Sequence, residues 1–571
     1  MSEMKVGKRK RKYFPESFDP SDVSQVESAL KDLLSTEVDS PEGIVELIKK
    51  FTELHDIVEE EAGWRYIRMT CDVARKEYAD AYNRYYENVI SKLKSYEFRI
   101  KKKIHDLSSR YELPHEYHHF LQMISSDIRL FREENIPLQS EETKLASRYR
   151  QLVGNITVQF RGQEKTLQQL LAYLKDPDRT LREEAWRKRH EAISEKREEL
   201  NRLFDKLKEL RIQQAENAGF DNYRDYIHQL KRRFEYSPED LHTFHESVEK
   251  EVVPFLQERT KMRRKKLGLD TVKPWDTKVN TEGKVLKPFK NTNEFAEKAI
   301  RILTRVHPLF GERFELMKRA GLLDLENRKG KAPGGYNYPL METGAPFIFM
   351  NAVGQSDDVR TLLHESGHAM HTFETVNIPV YLYRPERMEV AELASMSMEL
   401  ITMEHWKEFY PDEEDYKKAV EEELENALYF LPWCMIVDAF QHWIYTNPDH
   451  TPSEREEYFA HLMDRFNPGV DWSDLEKEKK MRWLFQLHIF EVPFYYIEYG
   501  IAQLGALAMY RNYLEDREKT VERYIEFLKV GCSKPIDKVY ETAGIKLDFS
   551  REYIGEIVEF VGFLLEKRDL C

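Results

Sequence analysis

The chain has 571 residues, of which 41% are hydrophobic and 33% are charged. This length exceeds the size at which a single hydrophobic core stops growing, and the composition argues against intrinsic disorder. The net charge of −14 at pH 7 argues against a nucleic-acid-binding protein, whose footprint would be a basic excess.

The chain also lacks the usual signals for secretion and membrane insertion. Its first thirty residues contain no apolar core of a signal peptide, and the longest apolar run, 427–437, is about half the length that spans a bilayer. The cysteines show no CxxC spacing, which gives neither a disulfide framework nor a cysteine zinc site: Cys71, Cys434, Cys532 and Cys571. We expect a cytoplasmic protein without membrane or nucleic-acid partners, and homo-oligomerisation is left open. The basic run from Lys8 to Lys12 is interpreted as a solvated tail.

Residues 20 to 265 have a helical pattern, with apolar residues at three- and four-residue spacing among many charged ones. Loop-rich stretches with glycines and prolines follow at Leu267–Asn293 and Asn327–Pro346. Between the second stretch and Gly354, Phe347–Asn351 is a short strand candidate, and the helical pattern then continues to the C-terminus. The sequence predicts a mainly α protein with one small sheet, divided into an N-terminal helical region 1–200 and a second region 201–571.

A helix predicted from Ser356 to about Glu374 contains an HExxH motif, His364-Glu365-Ser366-Gly367-His368. The start Ser356-Asp357-Asp358 resembles an N-cap followed by two acids. His364 and His368 are four residues apart, so both imidazoles lie on one helix face and can bind one metal, with Glu365 as general base. The bare motif arises by chance in about one chain in twenty of this length. Gly367, unfavourable inside a helix, indicates that another group approaches the backbone closely.

The next predicted helix, 385 to about 403, supplies candidates for a third ligand. A catalytic zinc site needs three protein ligands and one open position. We predict that Glu392 is the third ligand, with Glu389 as its chief competitor. Glu399 shares a face with Glu392 and could orient a ligand histidine. Glu386 is interpreted as a surface residue.

His371 lies three residues after the second ligand candidate, and its role is open. It could contact substrate or a ligand carboxylate, or it could be a packed structural histidine.

A second candidate segment, His488 to Gly500, is rich in tyrosine. Pro493 fits the first turn of a helix, which would place His488 in the preceding loop. Tyr499 is three residues from Tyr496 and four from Tyr495, so either pair could face a cleft. Such a cluster by itself is more often core packing than catalysis.

At these residues the chain resembles the thimet oligopeptidase and oligoendopeptidase F family of zinc peptidases, and is nearer to its bacterial branch. Three ordered blocks carry the likeness: 364–368 with Ala369 and His371, 392–395 with Glu399, and His488 with 494–500. Weaker likeness at 219–223 and 357–359 extends the match over roughly residues 200 to 560. The N-terminal 200 residues match only in helical character.

The resemblance implies an almost entirely helical fold, in which two lobes surround a deep channel that admits short unstructured peptides. It also implies a small β-sheet near the metal, and one Zn²⁺ per chain. The ligands would be His364, His368 and Glu392, with Glu365 as the general base.

The same resemblance implies a set of substrate-contacting residues. His488, Tyr496 and Tyr499 would bind substrate or stabilise the oxyanion, and the choice between Tyr495 and Tyr496 stays open. The strand that contains Phe349 and Asn351 would pair with the backbone of the substrate.

The sequence therefore predicts a zinc endopeptidase that hydrolyses internal bonds of oligopeptides. One alternative is a zinc carboxypeptidase or dipeptidase of similar fold, which would need a cationic anchor such as Arg384 or Arg387. The other is an inactive peptide-binding protein, which would have no use for the Glu365 carboxylate.

Overall fold

The computed structural model describes residues 8–281, 286–384 and 387–569, and these residues are mainly helical. The helices of the first half are α1 (Val23–Ser35), α2 (Pro41–Cys71), α3 (Lys76–Tyr85), α4 (Ser91–Ser108), α5 (His118–Leu130), α6 (Asn135–Gly154), α7 (Leu167–Ala172), α8 (Arg179–Glu195), α9 (Arg197–Asn217), α10 (Tyr223–Leu230), α11 (Pro238–Ser247) and α12 (Val253–Lys266). Those of the second half are α13 (Thr292–Val306), α14 (Pro308–Ala320), α15 (Ser356–Thr375), α16 (Met388–Ile401), α17 (Glu413–Thr446), α18 (Pro452–Arg465), α19 (Glu476–Met481), α20 (Leu487–Glu491), α21 (Tyr496–Glu515), α22 (Arg517–Val530), α23 (Ile536–Thr542) and α24 (Arg551–Asp569). The prediction of a mainly α fold is confirmed.

The chain forms two compact units, and each is assembled from separate stretches of sequence. The first unit comprises residues 1–129, 286–420 and 505–547, and the second comprises 130–285, 421–504 and 548–571. The division at residue 200 stays a prediction, and that residue lies inside α9. No described helix combines the length and hydropathy needed to cross a membrane.

The first unit contains a three-stranded sheet in the order β3-β5-β4, formed by β3 (Leu323–Glu326), β4 (Tyr336–Leu340) and β5 (Ala345–Ala352). β3 runs parallel to β5, and β4 runs antiparallel to it. The predicted strand Phe347–Asn351 is confirmed as part of β5. Because β5 lies between two partners, β3 and β4 form the edges of the sheet.

β4 lies in the stretch interpreted as a loop, so the sequence analysis missed it. Gly334-Gly335 precedes the strand and Pro339 lies within it, and both are ordinarily signals of a loop. Proline lacks an N–H donor and is tolerated mainly on edge strands. Its presence is therefore compatible with the position of β4 in the sheet.

The second unit contains an antiparallel hairpin that was also not predicted, formed by β1 (Thr157–Phe160) and β2 (Gln163–Thr166). Its two turn residues, Arg161 and Gly162, have φ angles of 50° and 78°. Positive φ at both positions is typical of the tight turn that matches the strand twist. β1 alternates polar and apolar residues over only four positions, and β2 contains no apolar residue, which explains why the sequence predicted one sheet where the described residues form two.

α15 packs against α16, α22 and β5 in the first unit. Its residues Leu362 and Leu363 are completely buried, and every residue of α16 from Glu389 to Ile401 is buried. This packing fixes α15, which contains the HExxH motif, and α16, which contains the predicted third ligand, relative to each other.

The basic segment Lys8–Lys12 is docked on the first unit, so its interpretation as a solvated tail is wrong. Lys8 Nζ and Arg11 Nε both bind the buried carboxylate of Glu342, the first at 2.6 Å. The backbone N–H of Arg9 donates to the Glu342 carbonyl at 2.7 Å. The segment therefore contacts the turn between β4 and β5.

This docking predicts that trypsin cleaves the wild-type protein slowly after residues 9–12. Replacing Glu342 with Gln removes both ion pairs. Charge-assisted hydrogen bonds of this kind are strong enough that their loss should raise the equilibrium constant for local opening of the segment about tenfold. We expect correspondingly faster cleavage, measured by mass spectrometry of the released N-terminal peptides. Glu46→Gln is the matched control, because Glu46 pairs with Lys12 at 3.8 Å on the exposed surface. Equal rates in both variants and the wild type would contradict the docking.

Candidate metal centre and active site

α15 begins one residue earlier than a serine cap would require. Its N-cap is Gln355, and Ser356 is the first helical residue. The carboxylate of Asp358 in the first turn accepts three backbone N–H groups at 2.8–2.9 Å, those of Val353, Gly354 and Gln355. These bonds satisfy donors at the helix start and fix the direction in which α15 leaves β5.

The structure brings the three predicted metal ligands together. His364 Nε2 lies 3.2 Å and His368 Nε2 lies 3.6 Å from Oε2 of Glu392. Ligands at about 2.0–2.1 Å from a tetrahedral zinc are about 3.3 Å apart, so these separations suit a common metal. One ligand atom from each residue falls within 4.8 Å of the others, and this is the one such group of three in the described part of the chain.

Neighbouring side chains orient these ligands. Glu399 Oε1 lies 2.6 Å from Nδ1 of His364, which leaves Nε2 directed towards the cluster, as predicted for an orienting carboxylate. Ser395 Oγ donates to Oε2 of Glu392 at 3.0 Å. The sequence analysis did not identify a role for Ser395, although its position one helical turn after Glu392 could have indicated one.

The cluster couples the protonation of its members. Burial lowers the pKa of His364, but hydrogen bonds from its ring to the carboxylates of Glu392 and Glu399 outweigh it and hold that pKa well above its ordinary value. Burial raises the pKa of Glu392, but bonds to His364 and His368 outweigh it and hold that pKa well below its ordinary value. Without a metal, the protonated imidazole of His364 can therefore donate from Nδ1 to Glu399 and from Nε2 to Glu392.

Glu365 is buried beside the ligands and has an unsatisfied oxygen. Its side chain is 7% exposed, and Oε2 accepts no hydrogen bond from any group in the described residues. Burial raises the pKa of this carboxyl. A buried polar atom without a partner requires an explanation, and a small polar molecule at the cluster would supply the missing donor.

Gly367 allows α15 and α16 to approach closely. A Cβ atom at this position would lie 2.6 Å from the carbonyl oxygen of Ala394 and 2.6 Å from Cα of Ser395. The expectation that another group approaches the backbone of Gly367 closely is confirmed, and this group is the backbone of α16. Tyr524 of α22 donates to the same Ala394 carbonyl at 2.6 Å, a contact for which the sequence gave no signal.

The alternative third ligand, Glu389, and the two arginines considered as substrate anchors lie outside the cluster of His364, His368 and Glu392. Glu389 is buried and accepts from Arg387 at 3.2 Å. Arg384 binds both carboxylate oxygens of Asp56. Both arginines proposed as anchors for a substrate carboxylate are thus buried and paired. Glu386 lies outside the described residues.

His371 is completely buried and packs against Phe527, with ring centroids 5.7 Å apart. Burial lowers its pKa to about 3, which keeps the imidazole neutral at physiological pH. Neither ring nitrogen has a hydrogen-bond partner among the described residues. Of the alternatives left open by the sequence, this geometry favours a packed histidine over contact with substrate or a ligand carboxylate, although the histidine is not satisfied by hydrogen bonds.

Phe349 and Asn351 have structural partners. Phe349 is buried and stacks on Tyr336, with centroids 4.8 Å apart. Asn351 Nδ2 donates to the carbonyls of Ala332 and Gly334 at 2.9 Å each. The expectation that this strand pairs with the substrate backbone is contradicted, because β5 is the central strand and already has a partner on each side.

The tyrosine-rich segment differs locally from its prediction. His488 lies in the short helix α20 rather than in a loop, and Pro493 lies in the turn before α21, which begins at Tyr496. Both expectations were wrong. The second failed because Phe494 adopts a φ of 58°, which prevents the helix from beginning at Pro493. A bulky residue rarely adopts this conformation, and sequence patterns do not reveal it.

The structure brings the four predicted residues of this segment together within the second unit. The His488 ring lies 4.7 Å from Tyr496, 6.0 Å from Tyr499 and 5.9 Å from Tyr495, between centroids. Burial lowers the pKa of His488 to about 4. Gln486 Nε2 lies 2.7 Å from Nδ1 of His488, and because an amide nitrogen only donates, Nδ1 accepts and Nε2 carries the proton.

Two regions of the chain match known protein domains. Residues 172–559 match the family described as Peptidase family M3, and residues 16–131 match the Peptidase M3 N-terminal domain. The chain belongs to peptidase family M3. The resemblance to its oligoendopeptidase F members is confirmed, and the N-terminal match adds a likeness that the sequence analysis did not detect.

Curated relatives in the family are distant in sequence. Oligopeptidase PepF of Bacillus subtilis (strain 168) is 26% identical over 304 residues, which cover 52% of this chain and 44% of PepF. Group B oligopeptidase PepB of Streptococcus agalactiae serotype III (strain NEM316) is 24% identical over 457 residues, which cover 77% of this chain and 74% of PepB. The match thus spans less than half the length of the first relative.

A solved family structure is similar over nearly the whole chain. PZ peptidase A with inhibitor 2 has a TM-score of 0.87 and 26% sequence identity, and the match covers 97% of this chain and 99% of that chain.

The contact at Gly367 predicts that Gly367→Ala destabilises the first unit. The added methyl group would force apart two packed helices, and overpacking of this kind costs about 1–3 kcal/mol. We expect a lower Tm in thermal unfolding. Gly154→Ala in α6 is the control, because a Cβ there has no neighbour within 4 Å. A Tm for Gly367→Ala as high as that of the control would contradict the close approach.

Proposed function

We propose that the protein is a zinc-dependent endopeptidase that hydrolyses internal bonds of short oligopeptides, with one Zn²⁺ per chain. The observation that carries the proposal is the cluster of His364, His368 and Glu392 at metal-ligand spacing, beside the unsatisfied oxygen of Glu365. Membership of peptidase family M3 and the oligopeptidase relatives support the reaction class and the size of the substrate.

In this proposal His364, His368 and Glu392 hold the metal, and Glu399 fixes the tautomer of His364. When bound, Zn²⁺ polarises a carbonyl group and lowers the pKa of water. Glu365 accepts the proton of the attacking water and returns it to the leaving amine. The raised pKa of Glu365 brings it closer to the range in which a carboxylate can both take and release a proton near neutral pH.

Donors for the developing oxyanion would come from His488, Tyr496 and Tyr499. The neutral His488 offers Nε2–H, and the phenol of Tyr496 stays protonated at physiological pH, since burial raises its pKa far above the ordinary value. Tyr495, which stacks on His488 at an interplanar angle of 13°, is proposed as a substrate contact.

We assign the peptide-binding edge to β4 instead of β5. β4 is an edge strand, and the side chain of Asn337 in this strand donates to the backbone carbonyl of Glu365 at 3.3 Å. The edge is therefore fixed to the backbone of the residue that supplies the proposed general base. An extended peptide could pair with it through backbone hydrogen bonds, which tolerate varied side chains.

The carboxypeptidase alternative has less support. It requires a cation free to bind a terminal carboxylate, whereas Arg384 and Arg387 are committed to Asp56 and Glu389. An inactive peptide-binding protein would leave the buried Glu365 carboxylate without a function. Cytoplasmic location, the absence of nucleic-acid and membrane partners and the oligomeric state stay predictions.

The test is hydrolysis of an internally quenched peptide of about eight residues with both ends blocked. We expect internal cleavage that is lost on chelation and restored by Zn²⁺. Glu365→Gln should lower kcat by about 10²–10⁴-fold while its zinc content stays at one per chain. Glu374→Gln, on the same helix but paired with Arg313, is the control and should keep full activity.

Two results would contradict parts of this proposal. Cleavage of free-ended but not blocked peptides would favour the exopeptidase alternative. Zinc binding without hydrolysis of any peptide would favour a binding protein.

The raised pKa of His364 predicts that zinc displaces a proton from the metal-free protein. The ligand must be neutral, so titration with Zn²⁺ at pH 7 should release about one proton per metal, and affinity should fall as pH is lowered. Calorimetry in buffers of different ionisation enthalpy measures this number. Glu399→Gln removes one carboxylate that raises this pKa, and should release fewer protons and weaken affinity about 10–100-fold. Proton release near zero in the wild type would show that His364 is already neutral.

A further inference from the structure

We propose that Arg211 and Arg233, two buried arginines of the second unit, are positioning residues for His488, Tyr496 and Tyr499. This inference rests on the proposed function, in which those three side chains act on the substrate. It adds two residues that contact none of the reacting atoms and act through the backbone of the segment between α20 and α21.

This segment has an unusual need for hydrogen-bond partners. α20 ends at Glu491 and α21 begins at Tyr496, so carbonyl groups at the end of α20 lack partners further along a helix. Phe494, between the two helices, adopts a left-handed φ of 58°. A bulky residue holds this conformation only where its surroundings impose it.

Arg211 binds the carbonyl groups at the end of α20. Its Nη1 donates to the carbonyl of Ile489 at 3.0 Å, and its Nη2 donates to that of Phe490 at 2.6 Å. The guanidinium is completely buried, and its Nε pairs with Glu142 at 2.6 Å. The two carbonyls that directly follow His488 in the chain are thus fixed from α9.

Arg233 binds the other end of the segment. Its Nη2 donates to the carbonyl of Phe494 and, at 2.7 Å, to Oε1 of Glu498 in the first turn of α21. The N–H of Phe494 donates to Oε1 of the buried Gln441 at 2.8 Å. Both backbone polar groups of the strained residue are therefore bound by buried side chains.

Stability alone does not explain this arrangement. Burying a charged group is costly, and apolar residues of similar volume are often as stable or more stable in its place. An apolar residue could not bind two carbonyl groups at once, whereas the planar fork of a guanidinium can. The arginines fix the end of α20 and the start of α21, and therefore the 4.7 Å contact between the rings of His488 and Tyr496.

The test compares Arg211→Lys and Arg233→Lys with Arg455→Lys. Lysine keeps the charge but cannot donate in two fixed directions. We expect kcat on the end-blocked peptide to fall at least tenfold in the first two variants, with KM changed less than threefold and zinc content unchanged. Arg455 is equally buried in the same unit but binds Asn201 and Asp205, so its variant should lose stability without losing kcat.

A double-mutant cycle separates positioning from a general loss of stability. If Arg233 acts through Tyr499, then Tyr499→Phe should lower kcat much less in the Arg233→Lys background than in the wild type. Full additivity would overturn the inference. Gln441→Asn, which shortens the side chain that accepts from the Phe494 N–H and so weakens this contact, provides a milder variant should the arginine variants fail to fold, and it should show the same loss of kcat.

Hydrogen exchange gives a readout that does not depend on catalysis. Amides of residues 488–499 should exchange faster in both arginine variants and at the wild-type rate in Arg455→Lys. Unchanged exchange and unchanged kcat, with Tyr499→Phe still impaired, would overturn the inference and leave the proposed function intact. Absence of hydrolysis in the zinc-loaded wild type would instead overturn the proposed function, while faster exchange would still assign the two arginines to this segment.

Discussion

The cluster of His364, His368 and Glu392 depends on the contact between two helix backbones at Gly367. α15 supplies two histidines and α16 supplies the carboxylate, and Glu392 Oε2 reaches both imidazoles only because Ala394 and Ser395 lie directly against the glycine. A larger residue would widen this spacing, and ligand separations near 3.3 Å leave little room for such a change. The absence of a side chain at Gly367 therefore sets the spacing between α15 and α16. The positions of the two histidines, Glu392, Glu399 and Glu365 all depend on that spacing.

The elements that could be predicted are those whose signals are local. The HExxH spacing, the position of Glu392 and the sharing of a face by Glu392 and Glu399 all follow from the helical repeat. Element pairings could not be predicted in this way. β4 looked like a loop because of Pro339, and the basic N-terminal run looked solvated because Glu342, its partner, lies more than 300 residues away. The strained Phe494, which displaced the start of α21, has no sequence signal.

Buried charge serves different purposes in the two units. In the first, the buried carboxylates of Glu392 and Glu399 bind His364 and raise its pKa, so charge is used to tune protonation at the cluster. In the second, the buried guanidiniums of Arg211 and Arg233 bind carbonyl groups of irregular backbone, so charge is used to fix geometry. In both units charged groups are buried where apolar side chains would avoid the cost of desolvation. This pattern is expected at functional sites.

The interrupted sequence of the first unit has a consequence for how the protein is made. Its three stretches are separated by segments that belong to the second unit, and α22, which binds the Ala394 carbonyl through Tyr524, comes from the last stretch. The ribosome delivers this helix only after α15 and α16 have emerged. Contacts of such long sequence separation form slowly. The cluster of His364, His368 and Glu392 therefore gains this support only once residue 524 has been made, and a nascent chain that ends before it would lack the contact.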